Sequence, residues 1–199
     1  DPSVLDRSAD YHDLSKEEIL ARIREAGIVG MGGATFPTHV KLSPPAEAKI
    51  DYVIVNGSEC EPYLTSDHRV MLENPEEVLD GLCIVLQIFG LQCGYVGIED
   101  NKPAAIERMK EAAAKYQNPK IHIVPLKTKY PQGAEKQLID AISGRKIKPG
   151  QLPWQSGCIV LNIDTAASVM RAVTMKMPLV QRIVTLGGDA LKHPMNYRV

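Results

Sequence analysis

Four short stretches of the sequence carry the residue types that could do chemistry. The first is Gly30-Met31-Gly32-Gly33-Ala34-Thr35-Phe36-Pro37-Thr38, which sets three glycines within four positions. Glycines let the backbone come close to a ligand and present its N–H groups as an anion nest. Lys41 follows within reach and offers a point charge for a phosphate. The spacing is neither a G-x-G-x-x-G fingerprint nor a Walker A loop, and the stretch follows a helix rather than a strand. A plain glycine-rich surface turn is the competing reading.

The second stretch, Asn56-Gly57-Ser58-Glu59-Cys60-Glu61-Pro62-Tyr63, lies directly after a β-branched run. In α/β sheets ligands bind beyond the carboxyl ends of strands. An amide, a hydroxyl and two carboxylates there suit hydrogen bonding to a sugar, a ribityl chain or a ring edge; a solvated acidic turn is the alternative. The third, Tyr130-Pro131-Gln132-Gly133-Ala134-Glu135-Lys136, brings a glycine loop into a helix N-terminus, a ready anion site. The fourth, Leu161-Asn162-Ile163-Asp164-Thr165, is a strand end entering a helix, where Asp164 or Thr165 can simply be the N-cap. No nucleophile–base pair stands out, and Cys60 has no sequence-local base. No catalytic residue is therefore assigned. The four cysteines, Cys60, Cys83, Cys93 and Cys158, lack C-x-x-C spacing, and no two of the five histidines sit at i, i+4. A metal site is not expected.

The elements that must hold these stretches can be read from caps and periodicity. Residues 1–14 read as a polar, irregular linker. Ser15-Lys16-Glu17-Glu18 is a capping box, followed by a stripe of Ile19, Leu20, Ile23 and Ala26 that Gly27 closes. Tyr52–Asn56, Gly94–Ile98, Lys120–Leu126 and Cys158–Leu161 read as strands. Helices are expected from Pro75 to Gly90, over Lys102–Tyr116, Gly133–Ser143 and Asp164–Met175, while Asp67-His68-Arg69 marks at most a helix start. Strands alternating with helices give an α/β, Rossmann-like fold with a parallel sheet over residues 15–177. After Pro178 two strands flank a turn with no helix between them, so 178–199 reads as the opening of a β-type domain.

Composition narrows the function class. The 199 residues are 44% hydrophobic and 24% charged with a net charge of −1, values ordinary for a globular protein. No basic stripe with interleaved aromatics points to nucleic acid. The longest apolar run, Leu79–Leu91, holds Asp80, Gly81 and Gln87 and is too short and polar to span a bilayer. Asp1–Asp6 carries neither a basic region nor an apolar core, so no signal peptide is expected. Buried thiols at Cys83 and Cys158 fit a reducing interior.

The run from Gly30 through Lys41 to Leu42 closely resembles the glycine-rich loop of the RnfC family, the NADH-facing subunit of the ion-translocating ferredoxin:NAD oxidoreductase (Rnf) complex. Asn56–Tyr63 and Lys127–Leu138 resemble that family's next two motifs. The family is in turn similar to the flavin- and NADH-binding subunit of respiratory complex I. The resemblance implies FMN as cofactor and NAD(H) as substrate. Gly30, Gly32, Gly33, Ala34 and Lys41 would cradle the flavin; Asn56, Ser58 and Glu59 would contact it; Gly133 and Glu135 would lie beside it; and Asn162 and Thr165 would complete the site. Phe36 and Glu61 would face NADH. Met31, Pro44, Ser58, Ala134 and Leu161 depart from the complex I pattern, which bears on dinucleotide affinity more than on flavin binding.

The resemblance further implies hydride exchange between NADH and FMN, with 4Fe-4S clusters held by C-terminal four-cysteine motifs that have no counterpart here. Residues 178–199 would open a β-grasp (soluble ligand-binding) domain. Partners would be other Rnf subunits and, indirectly, ferredoxin. The subunit would be peripheral, on the cytoplasmic face of the bacterial inner membrane. Two alternatives stay open: a reductase module of the same kind serving another enzyme, and a degenerate flavin domain that only docks partners.

Overall fold

The computed structural model describes residues 10–199, so Asp1–Asp6 lies outside the described residues and the expected linker 1–14 does so in part. What is described of that linker is ordered. Tyr11–Asp13 forms one 3-10 turn, and Gln87 Nε2 donates to the carbonyls of Tyr11, His12 and Leu14. Half-buried Tyr11 packs on the core, an apolar anchor that the polar composition around it conceals.

Helix α1 (Lys16–Glu25) begins with the expected capping box: Glu18 N–H donates to Ser15 Oγ at 3.2 Å, and Ser15 N–H donates to Glu18 Oε2 at 2.8 Å. The short helix α2 (Thr38–Lys41) follows the glycine stretch. Then come β1 (Tyr52–Gly57), α3 (Ser66–Glu73), α4 (Pro75–Phe89), β2 (Cys93–Glu99), α5 (Pro103–Ala113), β3 (Lys120–Leu126), α6 (Glu135–Ser143), β4 (Cys158–Asn162) and α7 (Ile163–Met175). Helices α2 and α3 exceed the sequence reading, which saw a loop and a bare helix start. With 4 and 8 residues, both fall short of the window of about 11–18 residues over which an apolar period is read.

Strands β1–β4 form one parallel sheet in the order β3-β2-β1-β4. Helices α1, α3, α4, α5 and α7 pack with one face in the larger core, and among the described helices α6 alone covers the other, with Leu138 and Ile139 against Ile54, Cys158 and Val160. Helix α4 is apolar on nearly every side because sheet and neighbouring helices enclose it, as a helix buried all round must be. Its Gly81 faces α7 so closely that a Cβ there would lie 1.9 Å from the Ala166 carbonyl oxygen. Cys83 and Cys158 are buried, as expected.

The chain moves from β1 outward through β2 to β3, then crosses by α6 to β4 on the other side of β1. Strand order therefore reverses between β1 and β4, where doubly wound sheets open a crevice at their carboxyl ends. The remaining strands, β5 (Ile183–Leu186) and β6 (Met195–Arg198), form a separate antiparallel pair with no helix between them. That pair is tied to the turn before α3, where Thr65 N–H donates to Thr185 Oγ1 at 3.2 Å and Asn196 Nδ2 to Thr65 O at 3.2 Å.

Candidate functional site

Asn56, next to last in β1, and Asn162, the last residue of β4, are register partners at the point where strand order reverses. A cavity of about 350 Å³ opens beside them, within the roughly 300–1,000 Å³ typical of ligand pockets. Its wall draws on all four stretches singled out above. Gly30, Gly32, Ala34, Phe36 and Lys41 come from the first, Asn56 from the second, Gly133 and Glu135 from the third, and Asn162 and Thr165 from the fourth.

The glycine stretch is pinned at its base. Gly30 N–H donates to Phe36 O at 2.8 Å, Thr38 N–H donates to Ile28 O at 3.0 Å, and Val29 bridges Pro37. Its middle is tied to the far end of the chain, since Met31 N–H donates to Thr165 Oγ1 at 2.9 Å. Among the described residues, no hydrogen bond engages the N–H groups of Gly32, Gly33 or Ala34. Gly33 adopts φ +119°, a conformation that side chains oppose, although open space surrounds it. Phe36 is 47% exposed at the rim.

Lys41, at the end of α2, reaches across the cavity. Its Nζ donates to Val160 O at 3.0 Å and to Glu135 Oε1 at 3.2 Å. Glu135 opens α6, where a negative charge favours the helix dipole. The N-cap of α6 is Ala134, so the helix starts two residues later than the Gly133 start expected, and Ala134 has no side-chain acceptor, so the first N–H groups of α6 are not capped.

The second and third stretches interlock. Asn56 Nδ2 donates to Gly133 O at 2.8 Å, Gly133 N–H donates to Cys60 Sγ at 3.2 Å, and Ser58 N–H donates to Asn56 Oδ1 at 3.2 Å. A Cβ on Gly133 would lie 3.1 Å from Cys60 Sγ and 3.4 Å from Ser58 Cβ, so only glycine sits there without displacing the neighbouring turn. Ser58 is fully buried behind the wall, its carbonyl accepting from Lys102 Nζ at 2.7 Å. Glu59 has φ +45° and points its carboxylate at α3, accepting from Asp67 N–H at 2.8 Å and His68 N–H at 3.0 Å. Ser58 and Glu59 thus stand behind the cavity, not on it. Glu61 accepts from the exposed Tyr130 hydroxyl at 3.1 Å, which raises the Tyr130 pKa and joins the same two stretches outside the cavity.

The fourth stretch corrects the sequence reading of the α7 cap. The N-cap is Asn162, whose Oδ1 accepts from Asp164 N–H at 2.9 Å and Thr165 N–H at 3.2 Å. Asp164 and Thr165 lie inside the helix instead, because β4 runs into α7 without a loop. Asp164 carries a raised pKa, caused first by burial. Asn162 Nδ2 donates to Asp67 Oδ2 on α3 at 2.6 Å. Burial first, and then the adjacent Glu59 charge, push Asp67 up to about 8. Sequence reasoning missed Asp67, which no spacing ties to Asn162. It also missed Thr38, a buried cavity residue whose Oγ1 has no partner among the described residues.

These features fit a phosphorylated, hydrogen-bonding group such as FMN. The wall offers unengaged backbone N–H groups, an uncapped helix start, a cation and an unpartnered buried hydroxyl. Among the described residues no cluster of three or more His, Cys, Asp or Glu side chains could hold a metal ion.

Residues 23–171 match the family model described as the Nuo51 FMN-binding domain. The chain is 51% identical over 192 residues to the C subunit of the proton-translocating ferredoxin:NAD(+) oxidoreductase complex of Clostridium ljungdahlii, covering 96% of this chain and 41% of that protein. It is 44% identical over 199 residues to the C subunit of the Na(+)-translocating complex of Acetobacterium woodii, covering 100% of this chain and 44% of that protein. The chain thus spans less than half the length of these curated relatives. Among solved structures it superposes on an NAD+-reducing NiFe-hydrogenase in the H2-reduced state with a TM-score of 0.78 at 21% identity, over 95% of this chain and 37% of that one. This last likeness is one of fold.

Proposed function

The chain belongs to the Nuo51 FMN-binding domain family, and from that membership we propose that it is the FMN- and NAD(H)-binding part of an RnfC-type subunit of an ion-translocating ferredoxin:NAD oxidoreductase. The observation that carries this reading is the convergence of four sequence-distant stretches on one cavity where strand order reverses. The names of the clostridial and Acetobacterium relatives supply the complex.

On this reading Gly32, Gly33 and Ala34 offer backbone N–H groups to the FMN phosphate and ribityl chain, Gly30, whose own N–H is bound to Phe36 O, leaves room on the wall beside them, and Lys41 offers its charge. Asn56, Asn162 and Thr165 line the cavity with polar atoms, Gly133 leaves room beside them, and Glu135 holds Lys41 in place. Ser58 and Glu59 act from behind the wall, Glu59 by fixing the start of α3. Phe36 on the rim and the Glu61–Tyr130 pair outside the cavity would meet NADH. Bound there, FMN supplies hydride exchange with NADH and the conversion between two-electron and one-electron transfer. The chain's own contribution is position, exclusion of water and electrostatics.

The 4Fe-4S clusters, the other Rnf subunits and indirect contact with ferredoxin belong to the longer protein that the relatives represent, with β5–β6 opening a β-grasp domain. A peripheral position on the cytoplasmic face of the membrane completes the proposal; no helix among the described residues is long and apolar enough to cross a bilayer. Titrating FMN into the purified chain and following flavin fluorescence tests the reading. Saturable binding, followed by bleaching of the bound flavin on adding NADH, is expected. Absence of binding sinks it, and binding without bleaching reduces the chain to a docking scaffold.

A further inference from the structure

The side-chain amide of Asn162 has two orientations of the same shape, and only one of them is useful. With Oδ1 toward α7 it accepts from the Asp164 and Thr165 N–H groups. Turned over, an NH2 group would face those donors and leave the helix start uncapped. An oxygen acceptor on the opposite side decides between the two, and Asp67 Oδ2 is that acceptor, 2.6 Å from Nδ2. The consequence reaches the cavity. Thr165, held in the first turn of α7, accepts from Met31 N–H at 2.9 Å. Asn162 Cβ sits 3.4 Å from where a Gly32 Cβ would be. A chain of contacts therefore runs from α3 through α7 to the glycine stretch, spanning sequence separations of 95 and 134 residues.

We propose that Asp67, which does not line the cavity, is a positioning residue for it: Asp67 fixes the Asn162 amide and, through it, the first turn of α7 and the glycine stretch that Thr165 anchors. The groups facing Asp67 are Glu59 from the turn after β1, Asp164 from α7 and Arg182 from the segment before β5. Arg182 also reaches toward the Met31 carbonyl, at 3.5 Å. For its ligand readout the proposal rests on the cavity being an FMN site; its second readout does not.

The test compares wild type with Asp67→Ala, Asp67→Asn, Asn162→Ala and the Asp67→Ala/Asn162→Ala double variant. Backbone amide hydrogen exchange is followed at Met31, Asp164 and Thr165 without ligand, and FMN affinity by fluorescence. Asp67→Ala is expected to speed exchange at all three amides and to weaken FMN about tenfold. Asp67→Asn keeps an oxygen acceptor and stays near wild type on both. The double variant binds FMN no worse than Asn162→Ala, because two residues acting through one contact do not add. Wild-type exchange rates in Asp67→Ala, or fully additive losses in the double variant, overturn the proposal. Should Asp67→Ala not fold, Asp67→Ser replaces it, since its shorter hydroxyl falls short of Asn162. A wild type that binds no FMN defeats the cofactor reading instead, and the exchange comparison then decides the role of Asp67 alone.

Discussion

The Lys41 ammonium lies 3.2 Å from the Glu135 carboxylate, which joins the glycine-rich stretch to the N-terminus of α6 across the candidate cavity. The pair is about one-third exposed on each side, and such pairs add little to stability, roughly 0–1 kcal/mol. Its significance is positional, because it holds a cation at the wall where a phosphate would arrive.

Replacing Lys41 by Ala should therefore separate binding from stability. A lost charge-assisted hydrogen bond costs about 1.5–3 kcal/mol, which weakens FMN by roughly ten- to hundredfold. The urea midpoint should barely move. A fluorescence titration alongside an unfolding curve measures both, and an unchanged FMN affinity would remove Lys41 from the site.

Gly33 tests backbone geometry rather than space. Open room surrounds it, so the obstacle to a side chain is its φ of +119°. Gly33→Val should impose strain of about 1–3 kcal/mol and shift the stretch, abolishing flavin binding while far-UV circular dichroism stays near wild type. Global unfolding of this variant would show that the glycine serves the fold and not the cavity.

Gly81 is the corresponding packing test. A methyl group there would meet the Ala166 carbonyl at 1.9 Å, so α4 and α7 must separate. Gly81→Ala should cost about 1–3 kcal/mol or more, against a helix-propensity gain of only about 0.5–1 kcal/mol. Chemical denaturation reads the difference, and a variant as stable as wild type would contradict the close approach of the two helices.

The pH dependence of stability should carry the signature of Asp67. Its folded pKa is pushed up to about 8, whereas an unfolded aspartate titrates near roughly 3.9. Between these values the folded chain keeps a proton that the unfolded chain has released. Stability therefore falls as pH rises through that window and levels off above it. Burial, Glu59 and Asp164 oppose ionisation, while Asn162 and Arg182 favour it. Asp67→Asn removes the share of the slope that Asp67 contributes, leaving that of Asp164, and should gain on wild type from about pH 5 to about pH 8, by at most roughly 1.4 kcal/mol per unit. Parallel pH profiles for the two proteins would mean that Asp67 is ionised throughout.

Electron delivery should stop at the flavin. Cys83 and Cys158 are buried in helix and sheet, Cys60 is engaged by Gly133, and no multi-ligand cluster exists among the described residues. With FMN added, the chain should reduce ferricyanide with NADH but not ferredoxin. Efficient ferredoxin turnover by the same preparation would reveal a route outside these residues.

The order of elements was legible in the sequence because local rules govern it. The Ser15–Glu18 capping box, Pro75 opening α4, the left-handed Gly90 that ends it and the alternation of strands with helices act within a few residues, and the structure keeps each of them. The four chemical stretches were legible too, since each falls at a junction between elements. Which atoms in them face the cavity was not. The Glu59 carboxylate turns to α3, Asn162 rather than Asp164 or Thr165 caps α7, and Asp67 orients Asn162 from a helix that barely registered as a pattern. The first two are local contacts whose direction no spacing fixes, whereas the Asp67–Asn162 contact, across a separation of 95 residues, depends on sheet register and on the α6 crossover that brings β4 beside β1. Only the assembled tertiary structure sets distances between residues so far apart in the chain.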